Sequence, residues 1–87
     1  MNILSINILL EIHSTFSKLP VQFRELVSEE CNWSTPTFYR KMRAKDKPDV
    51  HNKGRIIPAL SNAERQEIMR QARIAIQEIN SFMDKIQ

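Results

Sequence analysis

Val27-Ser28-Glu29-Glu30-Cys31-Asn32-Trp33-Ser34-Thr35-Pro36-Thr37-Phe38-Tyr39-Arg40-Lys41-Met42 reads as two helices meeting at a sharp corner. Val27, Cys31, Trp33 and Phe38 are apolar at the places where two helices crossing at a wide angle must touch, and Met42 closes the far end. Ser28 is small, as close approach of the two helices demands. Asn32 stands where the turn needs a left-handed backbone, a conformation that asparagine tolerates best among residues other than glycine. Ser34 or Thr35 supplies an N-cap, and Pro36 directly after it is a start signal for the second of the two helices.

The pattern continues on both sides of this corner. Pro20 fits the first turn of a helix over 20–31, whose apolar face is Phe23, Leu26, Val27 and Cys31 and whose Arg24, Glu25, Glu29 and Glu30 point to solvent. Leu9, Ile12, Phe16 and Leu19 have the spacing of a helix face and predict an earlier helix over 3–18. The helix after the corner is expected over 35–45. Asp46, Pro48, Asp49, Asn52, Gly54 and Pro58 mark a long basic loop over 46–60, interrupted by Ile56 and Ile57, which are expected to pack back on the core as a short extended piece. Ser61-Asn62-Ala63-Glu64 is a capping box that opens a last helix over 62–86. There Ile68, Ala72, Ala75, Ile79, Phe82 and Ile86 recur at alternating spacings of four and three. The expected fold is all-α: four helices, three of them forming a corner-centred core and the fourth long, in one domain over 1–87.

Composition bounds the function. With 87 residues the chain can bury one core, and 41% apolar with 26% charged residues is ordinary for a chain that folds. One glycine argues against hairpin-rich folds and against a glycine-rich phosphate loop. The lone Cys31 makes no internal disulfide, and no Cys/His cluster has zinc spacing, so a reducing, cytoplasmic setting and no metal are expected. Met1 to Ile12 is apolar but has no basic leader and is interrupted by polar residues, so neither a signal peptide nor a membrane span is read. Cys31 falls on a buried face, no histidine is placed to activate it, and no carboxylate pair stands in an apolar setting; an enzyme is not expected.

Charge is uneven. Seven cations between Arg40 and Arg55 face only Asp46 and Asp49, about +5 in a chain whose total is +3, so the remainder is about −2. An acidic body with one basic segment suits a polyanionic partner.

Trp33 to Met42, WSTPTFYRKM, resembles the recognition-helix pattern of serine-recombinase DNA-binding domains and of many phage and plasmid regulators. With the helix that precedes this segment, from about Val21 to Arg43, the resemblance covers about a quarter of the chain. It implies a helix-turn-helix over roughly Val21 to Arg43, with double-stranded DNA as the partner and the outward residues Ser34, Thr35, Pro36, Tyr39, Arg40 and Arg43 meeting it. Arg40 is the first choice for bidentate reading of a guanine. Thr35 and Thr37 suit a phosphate or a thymine methyl, and Tyr39 suits either. Lys45, Lys47, Lys53 and Arg55 would follow as a basic arm along phosphates or in the minor groove. Plainer readings stand beside these: Ser34 and Thr35 as caps only, Tyr39 as packing, the basic loop as a solvated surface. Lys41 departs from the pattern, since that position is commonly small and half-buried.

The leading expectation is therefore a small sequence-selective regulator or mobile-element accessory factor, without cofactor or small-molecule effector. The alternative is an assembly module that pairs through the Ile68–Ile86 stripe as a homodimer.

Overall fold

The computed structural model describes residues 7–86. Its first helix, α1, runs Ile8–Cys31 and starts at Asn7, whose side-chain oxygen accepts the Leu9 N–H at 2.8 Å. The sequence predicts two helices here, 3–18 and 20–31; the structure has one, continuous through Pro20. Residues 3–6 of the predicted first helix lie outside the described residues. The four-helix expectation is thereby corrected to three: α1, α2 over Thr35–Arg43 and α3 over Asn62–Lys85, with a two-stranded hairpin between α2 and α3.

The proline loses because the apolar stripe does not change phase across it. Ile12, Phe16, Leu19, Phe23 and Leu26 keep alternating spacings of four and three. Inside a helix Pro20 removes one hydrogen bond, to the Phe16 carbonyl, at a cost of about 3 kcal/mol. A break there would swing half of the stripe away from its partner. Leu19, Pro20 and Phe23 share one groove with Ala72, Ala75 and Ile76, and Phe23 and Val27 line a cavity with Leu60 and Ile68. Burying even three such side chains contributes about 1.5–3 kcal/mol each, more than the proline removes. Passing along α1 from Leu19 to Val27 thus moves back along α3 from Ile76 to Ile68, so the two helices are antiparallel.

α3 begins as its sequence requires. Ser61 Oγ accepts the Glu64 N–H at 3.0 Å, and Glu64 Oε1 accepts the Ser61 N–H at 2.9 Å. Val27, Phe38 and Ala75 are the buried apolar side chains among the described residues, one from each helix, and Val27 is completely buried. Gln71 is buried beside them and donates from Nε2 to Glu67 Oε2 at 2.7 Å.

The predicted loop 46–60 is instead a hairpin. β1, Lys47–Pro48, pairs antiparallel with β2, Ile56–Ile57. α2 stops at Arg43 rather than 45 because Ala44 turns extended and the residue before Pro48 disfavours helix. Asp46 Oδ1 accepts the Ala59 N–H at 2.9 Å and closes the base. At the tip, Asp49 Oδ1 accepts the His51 N–H, Asp49 Oδ2 accepts from Asn52 Nδ2, and Gly54 takes the positive φ of 82° that the return requires. Ile56 and Ile57 are exposed and do not pack on the core, because a two-strand ribbon with two residues a side offers no second layer to cover them.

The molecule measures 67 × 22 × 21 Å, and its radius of gyration is 18.4 Å, against roughly 12 Å for a globular chain of this length. Each long helix accounts for about 36 Å of that length. α2 and the hairpin form a head on this helical stalk. Among the described residues no helix is long and apolar enough to cross a membrane.

Replacing Pro20 with alanine restores the lost hydrogen bond, and Pro20→Ala is expected to raise stability by about 1–3 kcal/mol, read as a higher urea midpoint. A lower midpoint would mean that the ring's contact in the Leu19–Ile76 groove outweighs the hydrogen bond.

Candidate nucleic-acid interface

The head is set by the corner at Asn32. This residue adopts φ 56°, ψ 46°, the left-handed conformation expected of it. Its N–H donates to the Glu29 carbonyl at 3.3 Å, and the Trp33 N–H donates to the Ser28 carbonyl at 2.8 Å. This pair of bonds satisfies two carbonyls at the end of α1 and turns the chain. Trp33 then lines the same cavity as Val27, the apolar contact that accompanies such a terminus.

α2 leaves from Ser34, whose Oγ accepts the Thr37 N–H at 3.2 Å and donates to Thr37 Oγ1 at 2.9 Å. Both hydroxyls are engaged in starting the helix. Thr35 is exposed and Thr37 half-buried. Phe38 is buried, edge-on to Phe23 at 6.4 Å and to Tyr39 at 5.4 Å between centroids. It pins the underside of α2 to α1.

Tyr39 faces outward but is held: its hydroxyl accepts from Arg24 Nη1 at 3.2 Å, and Arg24 Nη2 donates to Glu25 Oε1 at 2.9 Å. Arg24, expected in solvent, is half-buried and reaches from α1 to α2. Its partner lies fifteen residues away, a pairing that helix periodicity alone does not reveal.

Lys41 resolves its own anomaly. Its stem crosses the Trp33 ring, with Nζ 5.6 Å from the centroid, and ends on Glu64 Oε2 at 3.1 Å. A small residue is unnecessary here because the long one snorkels along the aromatic face to a carboxylate on α3. Glu64 serves two ends of the fold. The Ser61 N–H first, and then Lys41, hold its carboxyl below the usual range.

Arg40 and Arg43 are exposed on α2, and Lys45, Lys47, Lys53 and Arg55 are exposed on the linker and hairpin. None of the six forms an ion pair among the described residues, whereas Lys41 does. Three residues, Ala44 to Asp46, separate α2 from β1, so these charges lie along one short segment of the head. Cys31 is half-buried; burial, followed by the Glu64 and Glu67 carboxylates, pushes its thiol up and away from the reactive thiolate. Among the described residues no group of three or more His, Cys, Asp or Glu is arranged to hold a metal ion.

No protein-family model, curated protein or solved structure matches this chain.

Asn32→Gly is expected to be nearly neutral and Asn32→Val to cost about 1–2 kcal/mol, since a β-branched residue resists the left-handed conformation; equal chemical-denaturation midpoints for the two would refute the turn. Because the Glu64 carboxyl titrates lower in the folded chain than in the unfolded one, its contribution is present above the ordinary carboxylate range, near pH 4.5, and is lost as pH falls through the folded value. Glu64→Gln should flatten the loss of stability on acidification over that window, measured by thermal melts across pH.

Proposed function

We propose that this chain binds double-stranded DNA with its head, α2 acting as the recognition helix of a helix-turn-helix and the hairpin as a basic arm. The observation that supports the reading best is the split among the seven cations from Arg40 to Arg55. Lys41 is neutralised inside the fold, while six stay exposed and unpaired among the described residues. Cations with a structural job find carboxylates; six left free in one segment fit a polyanion.

The roles follow from what each side chain has left to offer. Arg40 and Arg43 have free guanidinium groups on the exposed side of α2; Arg40 is assigned to a guanine edge and Arg43 to the groove wall or a phosphate. Thr35 keeps a free hydroxyl at the helix start, where backbone N–H groups also favour phosphate. Ser34, Thr37 and Tyr39 already have partners and act mainly by holding α2 in place, with their exposed edges adding contacts. Lys45, Lys47, Lys53 and Arg55 add phosphate contacts that carry little sequence preference. The single cysteine and the DNA partner fit a cytoplasmic regulator or an accessory factor of a mobile element.

Titration of labelled duplex DNA at several salt concentrations tests this. If Arg43, Lys45, Lys47, Lys53 and Arg55 each neutralise a phosphate, log K is expected to fall with log salt at a slope of about −4 to −5, and Arg40→Ala with Arg43→Ala should remove most of the affinity while reducing the slope by only about 1. Absence of binding at low salt by a folded protein would sink the proposal.

A further inference from the structure

The stalk leaves one of its two sides unfinished. Between α1 and α3, Leu19, Pro20 and Phe23 face Ala72, Ala75 and Ile76 across a groove of about 330 Å³ with no polar side chain in its lining. Phe23 also lines the cavity that α2 covers. α2 thus fills one end of this side and leaves the rest open. Two helical turns before Phe23 stands Phe16, 50% exposed, and two turns before that Leu9, 72% exposed; on α3, Met69 and Ile76, also two turns apart, are 51% and 58% exposed. The opposite side is mixed, with Glu25, Glu29 and Glu78 beside Val21 and Leu26.

We infer that a second copy of this chain covers the open side, giving an antiparallel four-helix bundle in which the free half of each stalk, Leu9–Pro20 with Ile76–Met83, packs on that of the other. Surface area argues for a copy of the chain itself. A folded monomer of 10.2 kDa exposes about 5,300 Å², and this chain exposes 7462 Å². Setting aside roughly 1,200 Å² for the seven residues outside the described range still leaves about 1,000 Å² in excess per copy. Two copies reach about 2,000 Å², where obligate homodimer interfaces begin. The groove itself has no charged side chain in its lining, so covering it buries no unpaired charge there.

The position of α2 sets the direction. Parallel copies would bring two α2 helices against each other at one level. Antiparallel copies let each α2 stop the other's stalk tip. The seam is then built from both long helices along the line of Phe16 and Ile76, not from the Ile68–Ile86 stripe, whose Ile68, Ala72 and Ala75 already face α1. At 1.5 Å rise per residue, with the two-fold axis near residue 14, the two α2 helices lie roughly 32 Å apart along the bundle. On the DNA reading above, this is close to one turn of duplex, about 34–36 Å.

The test needs no DNA, so its failure leaves the DNA reading standing. The native chain should sediment as a dimer at tens of micromolar, with a melting temperature that rises with protein concentration. Ile76→Glu should weaken association at least tenfold, and Glu78→Gln on the other side should leave it unchanged. Spin labels at Glu30→Cys in a Cys31→Ser background should lie about 45–50 Å apart across the antiparallel dimer. A monomer whose melting temperature ignores concentration overturns the inference, as does a dimer indifferent to Ile76→Glu. A label distance under about 30 Å overturns the antiparallel arrangement, since that is the span of parallel helices packed 8–10 Å apart. Should Ile76→Glu fail to fold, the concentration series on the native chain decides.

Discussion

The fold depends on the burial of Val27 where three helices meet. It projects from α1 into a cavity of about 140 Å³ lined also by Phe38 of α2 and Ile68 of α3, and nothing else in the described chain is so completely enclosed. Without that junction α1 and α3 have a groove but no reason to stop at a given register, and α2 has nothing beneath it. The αL turn at Asn32 brings α2 to the junction, and the capping box at Ser61 brings α3. Two short-range devices thereby aim two helices at one side chain.

Around this junction, electrostatics does work that packing cannot. Lys41 runs from α2 across Trp33 to Glu64, and Arg24 runs from α1 to Tyr39. Each strap crosses between elements, so α2 is held on both flanks as well as from below. Surface pairs of this sort contribute little singly, about 0–1 kcal/mol. Their effect is to fix the rotation of a nine-residue helix that buries one side chain and would otherwise be free to roll. That rotation decides which way Arg40 and Arg43 point.

What could be read from the sequence was local chemistry with a near neighbour. Asn32, Ser34 with Pro36, and Ser61 with Glu64 each act within about one turn, and each is found where the residue types place it. At Pro20 the local rule for proline predicts a break, but the stripe that overrides it spans four turns. The extended run at Ile56–Ile57 is legible, but its pairing with Lys47–Pro48 is not, because strands of two residues lie below any periodicity, and the isoleucines, apolar by type, do not reach the core their type predicts. Lys41 was visible as an anomaly, but its partner lies across the fold. The ten candidate contact residues separate in the same way: Ser34, Thr37 and Tyr39 are engaged by neighbours, and the remaining seven are exposed.

The hairpin's attachment has a dynamic consequence. Two strands of two residues, one side-chain clasp from Asp46 to Ala59 and a set of exposed hydrogen bonds at its tip are all that order it. Such units open locally at little free-energy cost, far below the global value. The head therefore carries its cations on two mounts of unequal stiffness. Arg40 and Arg43 ride a helix strapped at both flanks, while Lys47, Lys53 and Arg55 ride on or beside a ribbon held by few bonds. If the head binds DNA as proposed, the helix would meet it preformed and the ribbon would adjust afterwards, separating recognition from retention in time.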